Sequence, residues 1–436
     1  MPYFPGPAAA LSEEDLRRLH GVRAGPPRRV PSTRLSAEAV RQTKGAATSN
    51  PRKPMKITLP RHELRDALAG LSKVVPPKTT LPVFQLVRLS AYPGRLTLTA
   101  TDLDSVLAYR CGSAHIQTAG ETLVPFTELS RLAHGRGAEA VELGSVDHRL
   151  QLTQTFAGQR LSREVTATPL DEWPLLPPKP EVGAVDPALL GHLRKAAPFA
   201  SRDTSRPSLG GLYLDSSAEG DYVVATDGRR LSAFNTVRQP FRTSCIVPAS
   251  QFLLWTELTP TELQVGYSAD QAGGWFRLVT LRWDYQVRTI GGTFPHWRQV
   301  IPPSAGAWVL TISEADAGLL TEALPLFTGQ ELEPAGVTLH RQAGAVVVRR
   351  AGDPAPPSTS LRLPSSTLEP HTAHLSVDRT YLLAALAAGF RAFRWADGQG
   401  PLYSRDRQGG LHVLMPLRSP ASQPTPGQPR RPQPGR

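Results

Sequence analysis

Asp227, in the run Thr226-Asp227-Gly228, is the first carboxylate to weigh as a metal ligand. It lacks neighbouring ligands, so the Asp-Gly step reads instead as a turn. Ser, His and Asp residues are plentiful, yet no GxSxG frames a nucleophile. No HExxH occurs either, and the 11 histidines are scattered. No GxxxxGK[ST] loop is present, so the chain should not drive itself with ATP. Cys111 and Cys245 are too few for an all-cysteine zinc site or a disulfide scaffold. They read as two buried thiols in a reducing cytoplasm. No catalytic residue, metal or cofactor is expected. The chemistry that remains is binding.

Charge is the next guide, and it is unevenly placed. The 436 residues carry a net charge of +12. Residues 1–54 account for +6 and residues 419–436 for +3, which leaves +3 for the long middle. Basicity alone therefore does not make the middle a nucleic-acid binder. The ends also hold eight and six of the 43 prolines, a composition that buries too little apolar area to offset chain entropy. Both ends are expected to be mostly disordered. Within the first, Ser12-Glu13-Glu14-Asp15 resembles a capping box, and Leu16, Leu19 and Val22 recur at helical spacing. That segment reads either as a partner-docking helix or as a fraying tail. Met55-Lys56-Ile57-Thr58-Leu59 looks like a natural protein start. No run approaches the ~18 apolar residues of a membrane span, and no secretory signal opens the chain. A cytoplasmic location without a membrane partner is expected.

The elements that must position any binding residues come in threes. Each repeat opens with a helical pattern: His62 to Leu71, Asp186 to Ala197, and Ser313 to Leu324. Asp186 as N-cap with Pro187 at the first helical position is a good start signal. The markers Leu64, Leu189 and Leu319 stand at nearly equal intervals along the chain. A second helix is expected from Val124-Pro125-Phe126, Val247-Pro248-Ala249 and Ser376-Val377-Asp378. Its markers Pro125, Pro248 and Val377 recur with nearly the same period, so two independent sets agree. Between helices, Leu96 to Thr101 and Leu150 to Thr153 alternate with period two, as strands do. Val223 to Ala225, Val346 to Val348, Phe276 to Arg288 and Leu411 to Met415 read as further strands. The fold class is α+β, three similar domains each placing two helices against antiparallel sheet.

Five stretches then carry a resemblance. Thr79-Thr80-Leu81-Pro82-Val83, Leu96-Thr97-Leu98-Thr99-Ala100-Thr101-Asp102-Leu103 and Ala225-Thr226-Asp227-Gly228-Arg229-Arg230-Leu231 are three of them. Gly292 to Pro302 and Met415-Pro416-Leu417-Arg418 complete the set. In order, on this repeat, they resemble the bacterial DNA polymerase III β subunit, the sliding clamp. The likeness covers about 55–418. It implies clamp domains at 55–182, 183–303 and 304–418, flanked by the extensions 1–54 and 419–436. It also implies a head-to-tail homodimeric ring around double-stranded DNA, without sequence preference. Its other partners would be the polymerase III alpha subunit, further polymerases and the clamp loader. A clamp-like paralogue that binds replication or repair peptides without being loaded on DNA is the second reading.

The resemblance also names residues. For the DNA-facing surface it implies Arg65, Lys73, Lys78, Arg131 and Arg136 in the first domain. In the second it implies Arg194, Lys195, Arg202 and Arg206, the last two in a loop matching the family's DNA-contacting loop. For the partner-peptide groove it implies Leu209, Thr226, Gly228, Arg229, Arg230, Leu231, Pro295, Gln299, Val300, Pro401, Val413, Met415, Pro416 and Leu417. Arg229 stands where the family usually has His, and Gln299 where a basic residue is frequent. For ring closure it implies Leu161 opposite Leu319, Leu320 and Leu324. The third domain departs from the pattern, because Glu314, Asp316, Glu322, Glu331 and Glu333 crowd its first helix and loop.

Overall fold

The computed structural model describes residues 54–417, apart from 135–139, 147–148, 157, 271–272, 304–305, 328–335, 351–358 and 397–399. The helix expected near Ser12 lies outside the described residues, as do Arg136, Glu331, Glu333, Arg418 and the extension 419–436.

The first repeat runs β1 (Met55–Pro60), α1 (Arg61–Leu71), β2 (Leu86–Tyr92), β3 (Arg95–Thr101), β4 (Ser105–Cys111), β5 (His115–Thr118) and β6 (Gly120–Pro125). It continues through α2 (Phe126–Ala133), β7 (Ala140–Val146), β8 (Arg149–Phe156) and β9 (Gln159–Thr166). The second runs β10 (Gly183–Val185), α3 (Ala188–Ala196), β11 (Gly211–Ser217), β12 (Gly220–Thr226), β13 (Arg230–Thr236) and β14 (Cys245–Pro248). It then adds α4 (Gln251–Leu254), β15 (Leu263–Ser268), β16 (Trp275–Val279) and β17 (Trp283–Arg288). The third runs β18 (Trp308–Thr311), α5 (Glu314–Ala323), β19 (Gly336–Gln342), β20 (Ala345–Arg350), β21 (Ser360–Leu363), β22 (Thr367–Glu369) and β23 (His374–Asp378). It closes with α6 (Arg379–Ala387), β24 (Ala392–Trp395), β25 (Leu402–Arg405) and β26 (Leu411–Leu414).

The helix starts follow the chemistry in the sequence. Asp186 Oδ1 accepts from the Ala188 amide at 2.8 Å, opening α3. Ser313 Oγ accepts from the Asp316 amide at 3.1 Å, opening α5. Helix α1 turns Leu64, Ala67, Leu68 and Leu71 inward and leaves Arg65 and Asp66 exposed. Each such leucine contributes roughly 1.5–3 kcal/mol by leaving water. Helix α4 is the exception, with only four residues where the pattern leads one to expect a longer helix.

The sheets ignore the repeat boundaries. An eight-stranded sheet runs β10-β15-β16-β17-β4-β3-β2-β6, so the first two repeats join through β17 and β4. Asp284 pairs with Ala108 there. A nine-stranded sheet runs β14-β11-β12-β13-β26-β25-β24-β18-β22, joining the last two repeats through β13 and β26, where Arg230 pairs with Leu414. By element order, β4, β13 and β21 are equivalent, as are β9, β17 and β26. Two of the three possible pairings are thus made within the chain. The third pair, β9 and β21, ends two shorter sheets, β5-β1-β7-β8-β9 and β21-β20-β19-β23. Both strands carry an unpaired outer edge among the described residues, and β9 is exposed along nearly its whole length.

One apolar core threads all three repeats, including Leu64, Leu189, Phe252, Leu320 and Phe393. Cys245 lies in it, its thiol pushed up to about 12 by burial. Cys111 is half-buried and burial raises its thiol as well. Among the described residues no helix is long and apolar enough to cross a membrane.

Candidate functional site

The join between the second and third repeats is built around one turn. Thr226 ends β12 and donates its hydroxyl to the Arg230 carbonyl at 2.7 Å, while accepting from the Gly228 amide at 3.1 Å. Asp227 Oδ1 accepts from the Arg229 and Arg230 amides at 2.9 and 3.0 Å. Its Oδ2 receives the Arg230 guanidinium at 3.0 Å. Asp227 is therefore consumed by the turn, as the Asp-Gly step implied. Gly228 adopts φ +87°, a region glycine enters without strain.

Arg230 is pinned as well. It donates to the Pro198 carbonyl at 2.6 Å and lies over the rings of Tyr381 and Phe199, 4.2 and 5.2 Å from their centres. It thus ties β13 to α6 across the join. Behind it, His412 is fully buried against Phe199, Phe390 and Phe393, with its Nδ1 2.8 Å from Ser232 Oγ. Burial, assisted by the Arg230 charge, holds its pKa at about 3, so the ring is neutral.

Over this turn lies a groove of about 400 Å³. It is lined by Arg206, Leu209, Thr226, Gly228, Arg229, Arg230, Leu231, Pro295, Trp297, Val300, Pro401, Val413 and Met415. Strands β12, β13 and β26 supply the floor. The Met415 amide bonds the Arg229 carbonyl at 2.9 Å, which extends the ladder beneath it. Leu209, Leu231 and Val413 are buried, whereas Val300 and Met415 are about half exposed at the mouth. An apolar floor with a flexible thioether at its lip suits an apolar side chain entering from outside.

Of the residues expected in this groove, all line it except Gln299, Pro416 and Leu417. Gln299 faces a separate cavity of about 500 Å³ on the other side of the Phe294–Arg298 segment. Leu417 is drawn away because its amide bonds the Ser376 carbonyl on β23 at 2.7 Å, and Pro416 follows it. Sequence reasoning misses two lining residues as groove members. It assigns Arg206 to DNA, although the nearness of Arg206 to Leu209 in the chain puts it at the same wall. Trp297 sits inside the Gly292–Pro302 stretch that carries the resemblance. Its indole Nε1 donates to Asp215 Oδ2 at 2.9 Å, and the Arg298 guanidinium, which meets the same oxygen at 2.5 Å, stacks on it at 4.3 Å.

The residues expected to face DNA separate into free and committed. Lys78, Lys195 and Arg202 are exposed, and Lys73 is half-buried. Lys195 Nζ has one long contact with Gln408 at 3.4 Å. Arg65 reaches the Ala133 carbonyl at 3.4 Å, joining α1 to the end of α2. Arg131 pairs with Glu128 at 2.5 Å, which Arg163 also approaches at 3.4 Å. Arg194 is a correction. Its guanidinium binds the carbonyls of Leu253, Trp255 and Leu258 at 3.3, 2.5 and 2.6 Å, and burial lowers its pKa. Its Nε and Nη2 are committed to completing the short α4.

Two interface leucines are also corrected. Leu320 and Leu324 are wholly buried in the third repeat, since α5 turns that face inward. Leu161 on β9 and Leu319 on α5 stay exposed, and Leu326 just beyond α5 is more so. The acidic face of the third repeat is weaker than its composition suggested. Asp316 is buried, accepting from the Ser365 amide and Ser366 hydroxyl at 2.9 and 2.6 Å. Glu314 is paired with Arg391 at 2.9 Å.

Known proteins share this arrangement. The N-terminal domain family of the DNA polymerase III beta subunit matches residues 55–177. The beta sliding clamp of Caulobacter vibrioides is 27% identical over 400 residues, covering 84% of this chain and all of the relative. That of Synechococcus elongatus is 27% identical over 261 residues, covering 57% of this chain and 68% of the relative. Among solved structures, the sliding clamp from Bartonella birtlesii bound to griselimycin shares the fold with a TM-score of 0.72 at 21% identity. It is matched along its full length by 84% of this chain. Taken with the two sheets shared between repeats, these matches show a sliding-clamp-like chain, similar to DNA polymerase III beta subunits and carrying the match to that family's N-terminal domain at residues 55–177.

Proposed function

We propose that this chain is a sliding clamp: two copies close head to tail around duplex DNA and tether a polymerase for processive synthesis. The observation that carries the reading is the unused pair of sheet ends. Strands β17 with β4 and β26 with β13 already show how one repeat continues the sheet of the next. Pairing β9 with β21 of a second copy repeats that geometry and makes a nine-stranded sheet like the one already present. A closed ring follows if the rotation closes. Leu161 lies on β9 itself, and Leu319 is an exposed apolar group in the repeat that carries β21.

Inside the ring, Lys73, Lys78, Lys195 and Arg202 attract phosphate without reading sequence. Weak, water-mediated contacts of that kind permit sliding. The groove takes peptides from the polymerase III alpha subunit, other polymerases and the clamp loader. Catalysis belongs to those partners, and the protein works in the cytoplasm as a processivity factor.

Retention on DNA tests this. The protein is loaded on nicked circular plasmid with a cognate clamp loader and ATP, washed in high salt, and the plasmid is then linearised. Retention through the wash and release on linearisation are expected. Loss in the wash leaves only electrostatic binding and favours a peptide-binding paralogue instead.

A further inference from the structure

We propose that the cavity behind the groove is a second ligand site, shaped for a small uncharged aromatic amide, and that filling it tightens the groove. The site stands on the cavity's own residues, whereas its effect on the groove rests on the groove being the partner site.

At about 500 Å³ the cavity is large enough for a small organic molecule. Its rings come from both large sheets. Tyr213, on β11, and Phe294 lie face to face, with ring centres 4.5 Å apart and planes 6° apart. Tyr267, on β15, lines the cavity too, and its hydroxyl is fixed by donating to the Gly273 carbonyl at 2.5 Å. The Cys245 thiol also lines it, and stays protonated at neutral pH because burial pushes its pKa up to about 12. Rings and a neutral sulfur together favour an aromatic ligand.

Charge is already spent there. Among the described residues, Asp215 and Arg298 are the only Asp, Glu, Lys or Arg in the lining. They meet each other at 2.5 Å, and Arg298 is held further by Glu219 and Ser217. A carboxylate or an ammonium entering the cavity would shed water without gaining an unpaired counter-charge. Neutral hydrogen-bonding groups are available instead. The amides of Gly291, Gly292 and Thr293, along the wall, donate to none of the described residues. Gln299 brings a side-chain amide to the same cavity, also without a described partner. An aromatic amide supplies a ring, an acceptor for the backbone and a donor for Gln299.

The cavity and the groove share a wall, since Pro295 and Trp297 line both. Side chains hold that wall, through the Phe294 stack and the Trp297 indole on Asp215. A ligand bonded to the Gly291–Thr293 amides orders the wall from behind. The peptide then has less left to order in front, and the two sites reinforce each other.

The test titrates benzamide, benzoate and benzylammonium into the full chain, followed by ligand-observed saturation-transfer NMR. Benzamide should bind with a Kd on the order of 1 mM, and about tenfold tighter than either charged analogue. Tyr213→Leu should weaken it by about fivefold, with a thermal melt to show that the variant folds. Benzamide soaked into crystals of the unmodified protein locates the ring independently of any variant, and density is expected beside Tyr267 and Gly292. On the same protein, a labelled decapeptide with a Leu-Phe anchor is followed by fluorescence anisotropy. Saturating benzamide should tighten that peptide by about fivefold. Equal or tighter binding of a charged analogue overturns the neutral selection. No binding of benzamide overturns the site, while the peptide's own affinity still reports on the groove. Density for the ring in the groove, or displacement of the peptide, overturns the separate cavity. An unchanged peptide affinity at saturation overturns the coupling. A peptide that fails to bind with or without benzamide overturns the groove reading and the coupling together.

Discussion

Leu103 and Gly228 occupy the same position in two copies of one turn, with φ angles of +75° and +87°. Thr101 and Asp102 bond around Leu103 as Thr226 and Asp227 bond around Gly228. Thr101 Oγ donates to the Ser105 carbonyl at 2.8 Å and accepts from the Leu103 amide at 3.1 Å. Each turn lies at a join between repeats. The following backbone contact is also repeated, since the Arg288 amide meets the Asp104 carbonyl at 2.7 Å where Met415 meets Arg229. At the first join a leucine stands in place of the glycine, and Arg288 in place of the groove's Met415. The chain thus repeats the scaffold of the groove with a different surface chemistry.

A leucine at positive φ is strained by about 1–2 kcal/mol, part of which glycine's extra freedom in the unfolded chain cancels. Leu103→Gly should therefore leave stability unchanged or raise it by up to about 1 kcal/mol. Gly228→Val should cost at least about 1 kcal/mol and weaken peptide binding, by placing a branched side chain beneath Arg206. Urea denaturation and peptide anisotropy read the two effects.

Asp215 supports the groove from behind. Its buried carboxylate holds the Trp297 indole and the Arg298 guanidinium, which also meets Glu219. Asp215→Ala leaves both donors without that partner and should cost about 3 kcal/mol. Trp297 fluorescence should shift and peptide affinity should fall, while Glu219→Ala, at the exposed end, should change stability by less than about 1 kcal/mol.

His412 gives the second join a pH dependence of known sign. Its native pKa of about 3 lies below the ordinary value of 6.5, so between those limits the unfolded chain binds the extra proton. Stability is lost as pH falls from about 6.5, with a slope from this group of at most about 1.4 kcal/mol per pH unit. His192, also lowered mainly by burial, acts in the same direction. His412→Phe should flatten the decline in urea midpoint between pH 7 and 4.5. An unchanged slope would mean that other groups set it.

Arg194 and Arg202 should behave oppositely on DNA. Arg202→Ala should lower the salt slope of DNA binding by about one and leave stability within about 0.5 kcal/mol. Arg194→Ala should leave that slope alone and destabilise by about 2 kcal/mol, because three carbonyls lose a charged donor. Salt-titrated DNA binding and thermal melts on both variants separate the roles.

The linear sequence was enough for the threefold plan. Helix caps such as Asp186 and Ser313, the alternation of Leu96 to Thr101, and the two sets of evenly spaced markers are local signals. Local signals survive without knowledge of the partner strand. Most of the groove was legible for the same reason, since Thr226 to Leu231 and Val413 to Met415 are short contiguous runs. The misplacements all concern where a side chain points after long-range packing. Arg194 became a structural donor because α4, far along the chain, ends early and leaves carbonyls open. Arg206 reaches the groove wall because Gly228, well beyond it in the sequence, leaves room for its guanidinium. Leu320 and Leu324 turned inward because α5 presents a face that spacing alone did not orient, and Asp316 lost its surface charge to Ser365 and Ser366. The sequence determined the elements and their threefold order, because propensity and periodicity act between near neighbours. Only the tertiary structure decided which charges remain free, because a charge is spent or spared by donors and acceptors that the chain brings together from afar.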